Sequence, residues 1–202
     1  MRVIAGSAGG IRLDVPKANI RPTMDRVKAA IFSSLADAIP ESRVLDLFAG
    51  TGALGIEALS RGADTVVFVD ENRAAIQTIE RNLARTSFKG VVRQQEVFAF
   101  LRGANFEQPF RFIFADPPYD KMESGQAYTD LLLTDEKIPQ LLDPAGLFVL
   151  EKRPQESLIE TPLWEVTRAK KYGATEVLFL KRPSVISREV DQPSDMSRLR
   201  TT

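Results

Sequence analysis

The sequence contains no cysteine and no histidine among its 202 residues. Their absence excludes thiolate nucleophiles, imidazole bases and disulfide bonds, together with nearly every kind of zinc site. We therefore expect no metal centre. Any chemistry in this chain must depend on carboxylates, hydroxyls, backbone carbonyls or a bound cofactor.

Long apolar runs are also missing. Uncharged runs such as Ala145–Leu150 are far shorter than the roughly 20 apolar residues that a membrane-spanning helix needs. The opening residues MRVIAGSAGG lack the apolar stretch of a secretory signal. We therefore expect a cytoplasmic protein with no membrane partner.

An excess of one charge is absent, because 27 Lys and Arg residues balance 27 Asp and Glu residues. The distribution is nevertheless uneven, since residues 1–43 and 151–202 are net basic and the middle is net acidic. Basic ends suit contact with a polyanion, although scattered solvated charge explains the same counts.

The chain length predicts one domain, which we assign to residues 1–183. Within it we expect an N-terminal part at 1–40 and a core at 43–183. Residues 184–202 are polar and lack periodicity, so we predict a mobile tail there. We expect the protein to act as a monomer.

Short apolar runs alternate with helical patterns from Arg43 onward. The apolar runs predict five buried strands: Val44–Phe48, Thr65–Val69, Val91–Gln94, Phe112–Ala115 and Leu147–Leu150. Helical spacing predicts segments at Ala53–Arg61, Asn72–Thr86, Val97–Leu101 and Tyr128–Leu142. This order implies an α/β fold with a mostly parallel sheet and helices on both faces.

Two hairpins are predicted outside this alternation. Trp164–Lys171 and Thr175–Lys181 flank Tyr172-Gly173 and predict an antiparallel hairpin that closes the sheet. Arg2–Ala5 and Ile11–Val15 flank a glycine-rich stretch and predict a small N-terminal hairpin. Thr23 is the predicted N-cap of a helix that ends before Pro40.

A glycine-rich loop follows the first core strand. Gly50–Gly55 spells G-x-G-x-x-G between a strand and a helix, and Asp70 ends the next strand. Such glycines let a ligand approach the backbone, so we expect a side chain at Gly52 to obstruct it. The pattern is typical of S-adenosylmethionine or nicotinamide dinucleotide sites, and a tight structural turn is a third interpretation.

Carboxylates near this loop favour S-adenosylmethionine. Asp46 lies within an apolar strand, where a carboxylate needs a buried partner. The ammonium of a methionine moiety would serve, whereas a pyrophosphate would be repelled. Asp70 could accept hydrogen bonds from ribose hydroxyls. Glu96 could contact an adenine amine, or it could simply be an acid at a helix N-terminus.

The tetrapeptide Asp116-Pro117-Pro118-Tyr119 follows a predicted strand, at the edge where ligands bind in α/β sheets. Two acceptors, the Asp116 carboxylate and the Pro117 carbonyl, could orient an exocyclic base amine toward a methyl donor. Tyr119 could stack on a base held out of its helix. A plain strand ending is the other interpretation. The absence of cysteine argues against methylation of cytosine C5, which needs a thiolate.

These motifs together resemble the bacterial small-subunit (16S) ribosomal RNA guanine-N2 methyltransferases of the RsmD type. The resemblance runs from about Met1 to Pro183. It is carried by MRVIAGSAGGIRL, RPTMDRVKAAIF, VLDLFAGTGALGIEALSRGA, FVDENR, ADPPY, LEKR and KKYGATEVLFL.

The resemblance implies the seven-stranded, Rossmann-like class I methyltransferase fold and S-adenosylmethionine as cofactor. It implies that the loop glycines and Asp46 bind the methionine end, that Asp70 binds ribose, and that catalysis occurs at Asp116–Tyr119. We assign eight residues to cofactor binding: Thr23, Asp46, Phe48, Gly50, Thr51, Gly52, Asp70 and Glu96.

The partner implied is small-subunit ribosomal RNA, within an assembled or partly assembled particle. We predict that five basic residues bind it: Arg2, Arg12, Lys17, Arg21 and Arg26. We expect the N-terminal basic segment to serve RNA binding rather than fold stability.

Three other functions stay open. One is amino-methylation of DNA adenine or of a protein glutamine with the same tetrapeptide. The second is a nicotinamide-dependent oxidoreductase, and the third is an RNA-binding protein without catalysis.

Overall fold

A computed structural model of the protein describes residues 1–15, 25–119 and 127–183. Its helices are α1 (Asp25–Leu35, followed by a 3₁₀ turn at Ala36–Ala38), α2 (Ala53–Ser60), α3 (Arg73–Thr86), α4 (Val97–Gly103), α5 (Tyr128–Thr134) and α6 (Lys137–Leu141). Its strands are β1 (Arg43–Leu47), β2 (Thr65–Asp70), β3 (Val91–Gln94), β4 (Phe110–Ala115), β5 (Leu142–Lys152), β6 (Glu165–Tyr172) and β7 (Thr175–Lys181).

The strands form one seven-stranded sheet in the order β3-β2-β1-β4-β5-β7-β6. The first five strands pair in parallel, and β7 runs antiparallel between β5 and β6. This architecture confirms the predicted α/β fold with a closing hairpin. The parallel strands all end at one edge of the sheet, which we call the carboxyl edge. The C-terminal ends of β1, β2 and β4 lie side by side at this edge.

Alternating side chains of each strand pack on opposite faces of the sheet. Val44 of β1 belongs to the core that also contains side chains from α1, α2, α3 and residues 1–15. Its neighbour Leu45 belongs to the second core, beneath α4, α5 and α6. Asp46 therefore lies on the face shared with α2 and the N-terminal residues.

The N-terminal residues differ from their prediction in two ways. They form one antiparallel bridge, Arg2 with Arg12, rather than a hairpin of regular strands. They also contribute Val3, Ala8 and Leu13 to the core, so the segment does serve the stability of the fold and our contrary expectation was wrong. The backbone at Gly6 lies so close to α2 that a Cβ there would be 1.8 Å from the Ser60 carbonyl oxygen.

The helix predicted over Tyr128–Leu142 is wrong in its continuity, because it divides into α5 and α6. Pro139 explains the break: it has no N–H to donate, and its ring would clash with the carbonyl four residues earlier, that of Asp135. Across the described ranges, none of the helices combines the length and apolarity needed to cross a membrane. The predicted tail at 184–202 lies outside the described residues.

Candidate active site at the carboxyl edge

The loop from β1 to α2 has a backbone that requires glycine. Gly50 and Gly52 have φ angles of 54° and 74°, in the left-handed region. A Cβ on Gly52 would lie 3.3 Å from side-chain atoms of Ile56 and Ile79. A side chain at Gly52 would therefore point into the core. This direction does not support our expectation that it would obstruct the ligand.

Asp46 is a buried carboxylate behind this loop, with 1% of its surface exposed. Its Oδ2 accepts a hydrogen bond of 2.9 Å from the Gly55 backbone N–H. This partner belongs to the chain itself, and the contact with a methionine ammonium stays a prediction. Burial raises the pKa of Asp46 well above its ordinary value, the Gly55 hydrogen bond opposes this, and the negative charges of Asp116 and Asp70 raise the pKa further.

Asp70 joins the glycine loop to the end of β2. Its Oδ2 accepts from the Gly50 N–H at 2.8 Å, and its Oδ1 accepts from the Asn72 N–H at 2.8 Å. Burial raises the pKa of Asp70, and these two hydrogen bonds partly offset the rise. Asp70 thus lies at the strand end where we predicted it, in direct contact with the loop.

Asp116 follows β4 directly, and β4 is the parallel neighbour of β1. Its charge acts on Asp46, so the tetrapeptide and the glycine loop share one electrostatic environment. Pro117 is buried and Pro118 is exposed. In the described part of the chain, no cluster of three or more carboxylates is arranged to hold a metal ion.

Two residues outside the tetrapeptide hold Tyr119 in place. The hydroxyls of Tyr119 and Thr175 lie 3.0 Å apart in a hydrogen bond, and Thr175 is the buried first residue of β7. The Arg153 guanidinium carbon lies 5.0 Å from the Tyr119 ring centroid, a cation–π distance. Sequence reasoning missed Thr175 and Arg153, although both lie within motifs, KKYGATEVLFL and LEKR, that carry the family resemblance.

Glu96 is the N-cap of α4. Its carboxylate oxygens accept hydrogen bonds from the backbone N–H groups of Phe98 at 2.8 Å and Ala99 at 2.6 Å. The interpretation of Glu96 as an acid at a helix N-terminus is therefore confirmed, and its contact with adenine stays a prediction.

Phe48 lies beside this cap with a φ angle of 55°. Its ring centroid is 5.6 Å from that of Tyr128 and 6.3 Å from that of Phe98. The three rings form an aromatic wall at the end of β1, and Phe98 and Tyr128 were not predicted. Only the fold could place them together, since they are separated by 30 or more positions along the sequence.

Thr51 is buried, and Asn82 of α3 holds its backbone. Asn82 Nδ2 donates to the Thr51 carbonyl at 2.9 Å, and Asn82 Oδ1 accepts from the Asp14 N–H at 2.7 Å. The Thr51 hydroxyl also lies 3.5 Å from the sulfur of Met1. The N-terminal residues therefore support the glycine loop directly.

The predicted RNA-binding residues lie partly within the described chain. Arg2, Arg12 and Arg26 are exposed, and the Arg2 side chain has an ion pair of 3.8 Å with Asp25. Lys17 and Arg21, like the predicted cofactor residue Thr23, lie outside the described residues. The structure therefore brings Arg2 and Arg12 together at their bridge and leaves the remainder of the predicted surface as a prediction.

The family described as conserved hypothetical protein 95 has a sequence model that matches residues 1–181. The chain belongs to this family. It is 41% identical over 187 residues to the Bacillus subtilis protein named "Putative rRNA methyltransferase YlbH", with 90% of this chain and 99% of that protein covered. It is 34% identical over 176 residues to the Escherichia coli protein named "Ribosomal RNA small subunit methyltransferase D", with 86% and 85% covered.

Solved structures agree with these sequence relatives. The Escherichia coli structure named "Putative methyltransferase yhhF" superposes with a TM-score of 0.73 at 31% identity, covering 90% of this chain and 97% of that one. The resemblance to RsmD-type methyltransferases is thus confirmed, and so is the class I methyltransferase fold.

Proposed function

We propose that this protein transfers a methyl group from S-adenosylmethionine to the exocyclic N2 amine of a guanine in small-subunit ribosomal RNA. The observation that carries the proposal is the position of Asp116-Pro117-Pro118-Tyr119, beside the glycine loop and within electrostatic reach of Asp46. The relatives named as ribosomal RNA methyltransferases support RNA as the substrate.

The carboxyl edge suits the proposed cofactor. Asp46, Asp70 and Asp116 place three negative charges near one another, and the first two have raised pKa values. A bound cation would relieve this repulsion, and S-adenosylmethionine carries both an ammonium and a sulfonium. The glycine loop, held by Asp70 and Asn82, would enclose the methionine end.

The same charges disfavour the oxidoreductase alternative. A dinucleotide pyrophosphate is anionic, and it would lie against the loop whose Gly50 N–H already donates to a carboxylate. In nucleotide-binding loops such N–H groups bind phosphate oxygens instead. The occupied donor and the neighbouring Asp46 therefore favour a cationic ligand.

Asp116 would position the target amine. The lone pair of a base amine is delocalised into the ring, so the amine must be oriented before it can react. Acceptors on both N–H bonds, the Asp116 carboxylate and the Pro117 carbonyl, would favour the developing tetrahedral nitrogen. When bound, S-adenosylmethionine would supply an electrophilic methyl group and would be left as the thioether adenosylhomocysteine, while the methylated amine would lose one proton. The alkylated amine is strongly acidic, so no specially tuned base is needed.

Tyr119 would provide the stacking surface for the target base. The Thr175 hydroxyl and the Arg153 guanidinium restrain its ring, which lowers the ordering cost when a base binds. We further propose an assembled or partly assembled particle as the preferred substrate, because a folded ribonucleoprotein presents an exposed guanine in a fixed geometry.

The test compares methyl incorporation into small-subunit particles, protein-free small-subunit RNA and duplex DNA, followed by nucleoside analysis. We expect N2-methylguanosine, with particles as the best substrate. Asp116→Ala is expected to lose roughly 10²–10³-fold in single-turnover rate, while its affinity for adenosylhomocysteine by calorimetry stays within a few-fold of wild type.

Three results would contradict the proposal. N6-methyladenine as the product, or DNA as the best substrate, would refute the guanine and RNA assignments. A near-normal rate for Asp116→Ala would refute the role of the tetrapeptide. Equal activity on protein-free RNA would refute only the preference for a particle.

A further inference from the structure

The closing hairpin places an exposed strand next to the candidate site. β6 is the last strand of the sheet, pairs only with β7 in the described part of the chain, and is exposed from Glu165 to Lys171. Because β6 runs antiparallel to β7, which itself runs antiparallel to β5, its C-terminal end lies at the carboxyl edge. An edge strand with exposed side chains is thus available beside the catalytic tetrapeptide.

One face of β6 carries cations in line with Tyr119. The register pairs Arg168 with Phe179, Lys170 with Val177 and Tyr172 with Thr175. Paired residues point to the same face, so Arg168, Lys170 and Tyr172 follow one another at about 6.6 Å per step. The line ends at Thr175, whose hydroxyl holds Tyr119.

Both cations are placed on this face by neighbouring side chains. The Arg168 guanidinium carbon lies 5.8 Å from the ring centroid of Phe179, and Lys170 Nζ lies 3.5 Å from the hydroxyl oxygen of Ser34. Neither contact neutralises a charge. Among the described residues, no ion pair joins either cation to a carboxylate.

The hairpin's own carboxylates are engaged elsewhere. Glu165 pairs with Lys181 at 3.2 Å, and Glu176 pairs with the buried Lys152 at 3.0 Å. Arg153, the residue after Lys152, brings a further cation to Tyr119. Together with Arg168 and Lys170 it gives three cations near Tyr119, and Glu151 of β5, in register with Val177, is a buried carboxylate on the same face.

We propose that Arg168, Lys170 and Arg153 form a surface that binds the RNA backbone, which we call the hairpin surface. It would bind the phosphates next to the target nucleotide and so direct the target base to Tyr119. This inference rests on the proposed function, since it assumes an RNA substrate. Guanidinium and ammonium groups bind phosphate oxygens, and such contacts displace condensed counterions, which makes the affinity fall as salt rises. The hairpin surface would add to whatever the N-terminal arginines contribute.

Edge strands also carry cations for another reason, which is to prevent pairing with other chains. That role predicts no effect on RNA binding. The opposite edge of the sheet offers a matched control, because β3 is also an edge strand and carries exposed Arg93, with exposed Lys89 just before it. The two edges can therefore lose the same residue types and the same charge.

The experiment measures the affinity for end-labelled, protein-free small-subunit ribosomal RNA over a series of KCl concentrations. It compares wild type, the variant Arg168→Gln/Lys170→Gln and the control Arg93→Gln/Lys89→Gln. Loss of two phosphate contacts should reduce the slope of log affinity against log salt by about 1.4 for a single strand. We expect this change in the hairpin variant and a wild-type slope in the control.

Adenosylhomocysteine affinity, by calorimetry, should be unchanged in all three proteins. A wild-type slope in the hairpin variant, or an equal reduction in both double variants, would overturn the hairpin surface. If wild type still methylates RNA in that case, the proposed function survives. A wild type that binds adenosylhomocysteine but neither binds nor methylates RNA would overturn both.

Discussion

Two of the regions that bury charged side chains differ in whether those charges are neutralised by their neighbours. In the first, Glu57 of α2 and Lys28 of α1 form an ion pair of 3.3 Å with both side chains fully buried. The other oxygen of Glu57 accepts from Arg61 Nε at 2.8 Å, and the carboxylate also accepts the backbone N–H groups of Ile4 and Ala5. Two cations and two amides thus satisfy one carboxylate.

In the second region, Asp46 has like charges as its neighbours. Its carboxylate accepts from Gly55, while Asp116 and Asp70 raise its pKa beyond the effect of burial. The charge of Glu57 is therefore compensated at the junction between the N-terminal residues and α2, whereas the charge of Asp46 has a cost that, under the proposed function, a bound cation would relieve. The two carboxylates differ in their neighbours rather than in their burial.

The largest effect is expected from breaking the first region with Glu57→Gln. The change leaves Lys28 buried without its counterion, and the pKa of Lys28, already lowered by burial, would fall further. Removing one partner of a buried ion pair lowers the free energy of unfolding by about 3–5 kcal/mol. Denaturant unfolding measures this loss.

Glu80→Gln is the matched control, since Glu80 is an exposed glutamate on α3 and its loss should change stability by less than about 0.5 kcal/mol. A Glu57→Gln protein as stable as this control would show that the buried network contributes little. The contrast between a compensated charge on Glu57 and an uncompensated charge on Asp46 would then not explain stability.

The second region is tested by Asp46→Asn, which keeps an oxygen for the Gly55 N–H and removes the charge. Affinity for S-adenosylmethionine should fall roughly 10- to 100-fold, the value of a hydrogen bond to a charged group. The free energy of unfolding at neutral pH should rise instead, because a buried charge with like-charged neighbours is lost. Calorimetry measures the change in affinity, and denaturant unfolding of the same protein measures the change in stability.

The pH dependence follows from the raised pKa of Asp46. The folded state holds this proton more tightly than the unfolded chain, so the contribution of Asp46 to stability is favourable at low pH and is lost as pH rises toward the folded-state pKa. Cofactor affinity should show the reverse trend, rising as Asp46 deprotonates. Asp46→Asn should flatten both profiles, and an unchanged pH profile of affinity would assign the effect to another group.

The candidate site was predictable from sequence where each residue is marked by a strand of its own. The glycine loop, Asp46, Asp70 and Asp116 were located because each follows or lies within a recognisable apolar strand. The supports of the site, Asn82 and Thr175, were not predictable, since they contact their partners across the fold. The same is true of Glu57 in the first region. Glu57 even lies inside a motif that carries the family resemblance, yet its role depends on Lys28, which is 29 positions away.

The N-terminal region shows the complementary limit. Its basic residues suggested RNA contact, whereas its small and apolar residues, Val3, Ala8 and Leu13, pack into the core. Composition identified the charge, but a segment this short has no periodicity long enough to reveal burial. The core packing of these residues and the backbone contacts with Glu57 and Ser60 show that the segment belongs to the fold.

The smallest effect is expected at the edge of the candidate site, from a change to Thr175. Thr175→Val removes the hydroxyl that meets Tyr119 at 3.0 Å and keeps the side-chain shape. A neutral hydrogen bond contributes about 0.5–1.5 kcal/mol, so kcat/KM for RNA should fall between about two- and tenfold. Thr167→Val is the control, because the Thr167 hydroxyl donates to the Phe179 carbonyl at 2.9 Å in the same hairpin.

If Thr175 acts by holding Tyr119, then Thr175→Val and Tyr119→Phe should be non-additive, with the double variant no slower than the slower single variant. Additive losses, or an equal loss in Thr167→Val, would show that the hairpin supports the sheet and leaves the Tyr119 ring unrestrained.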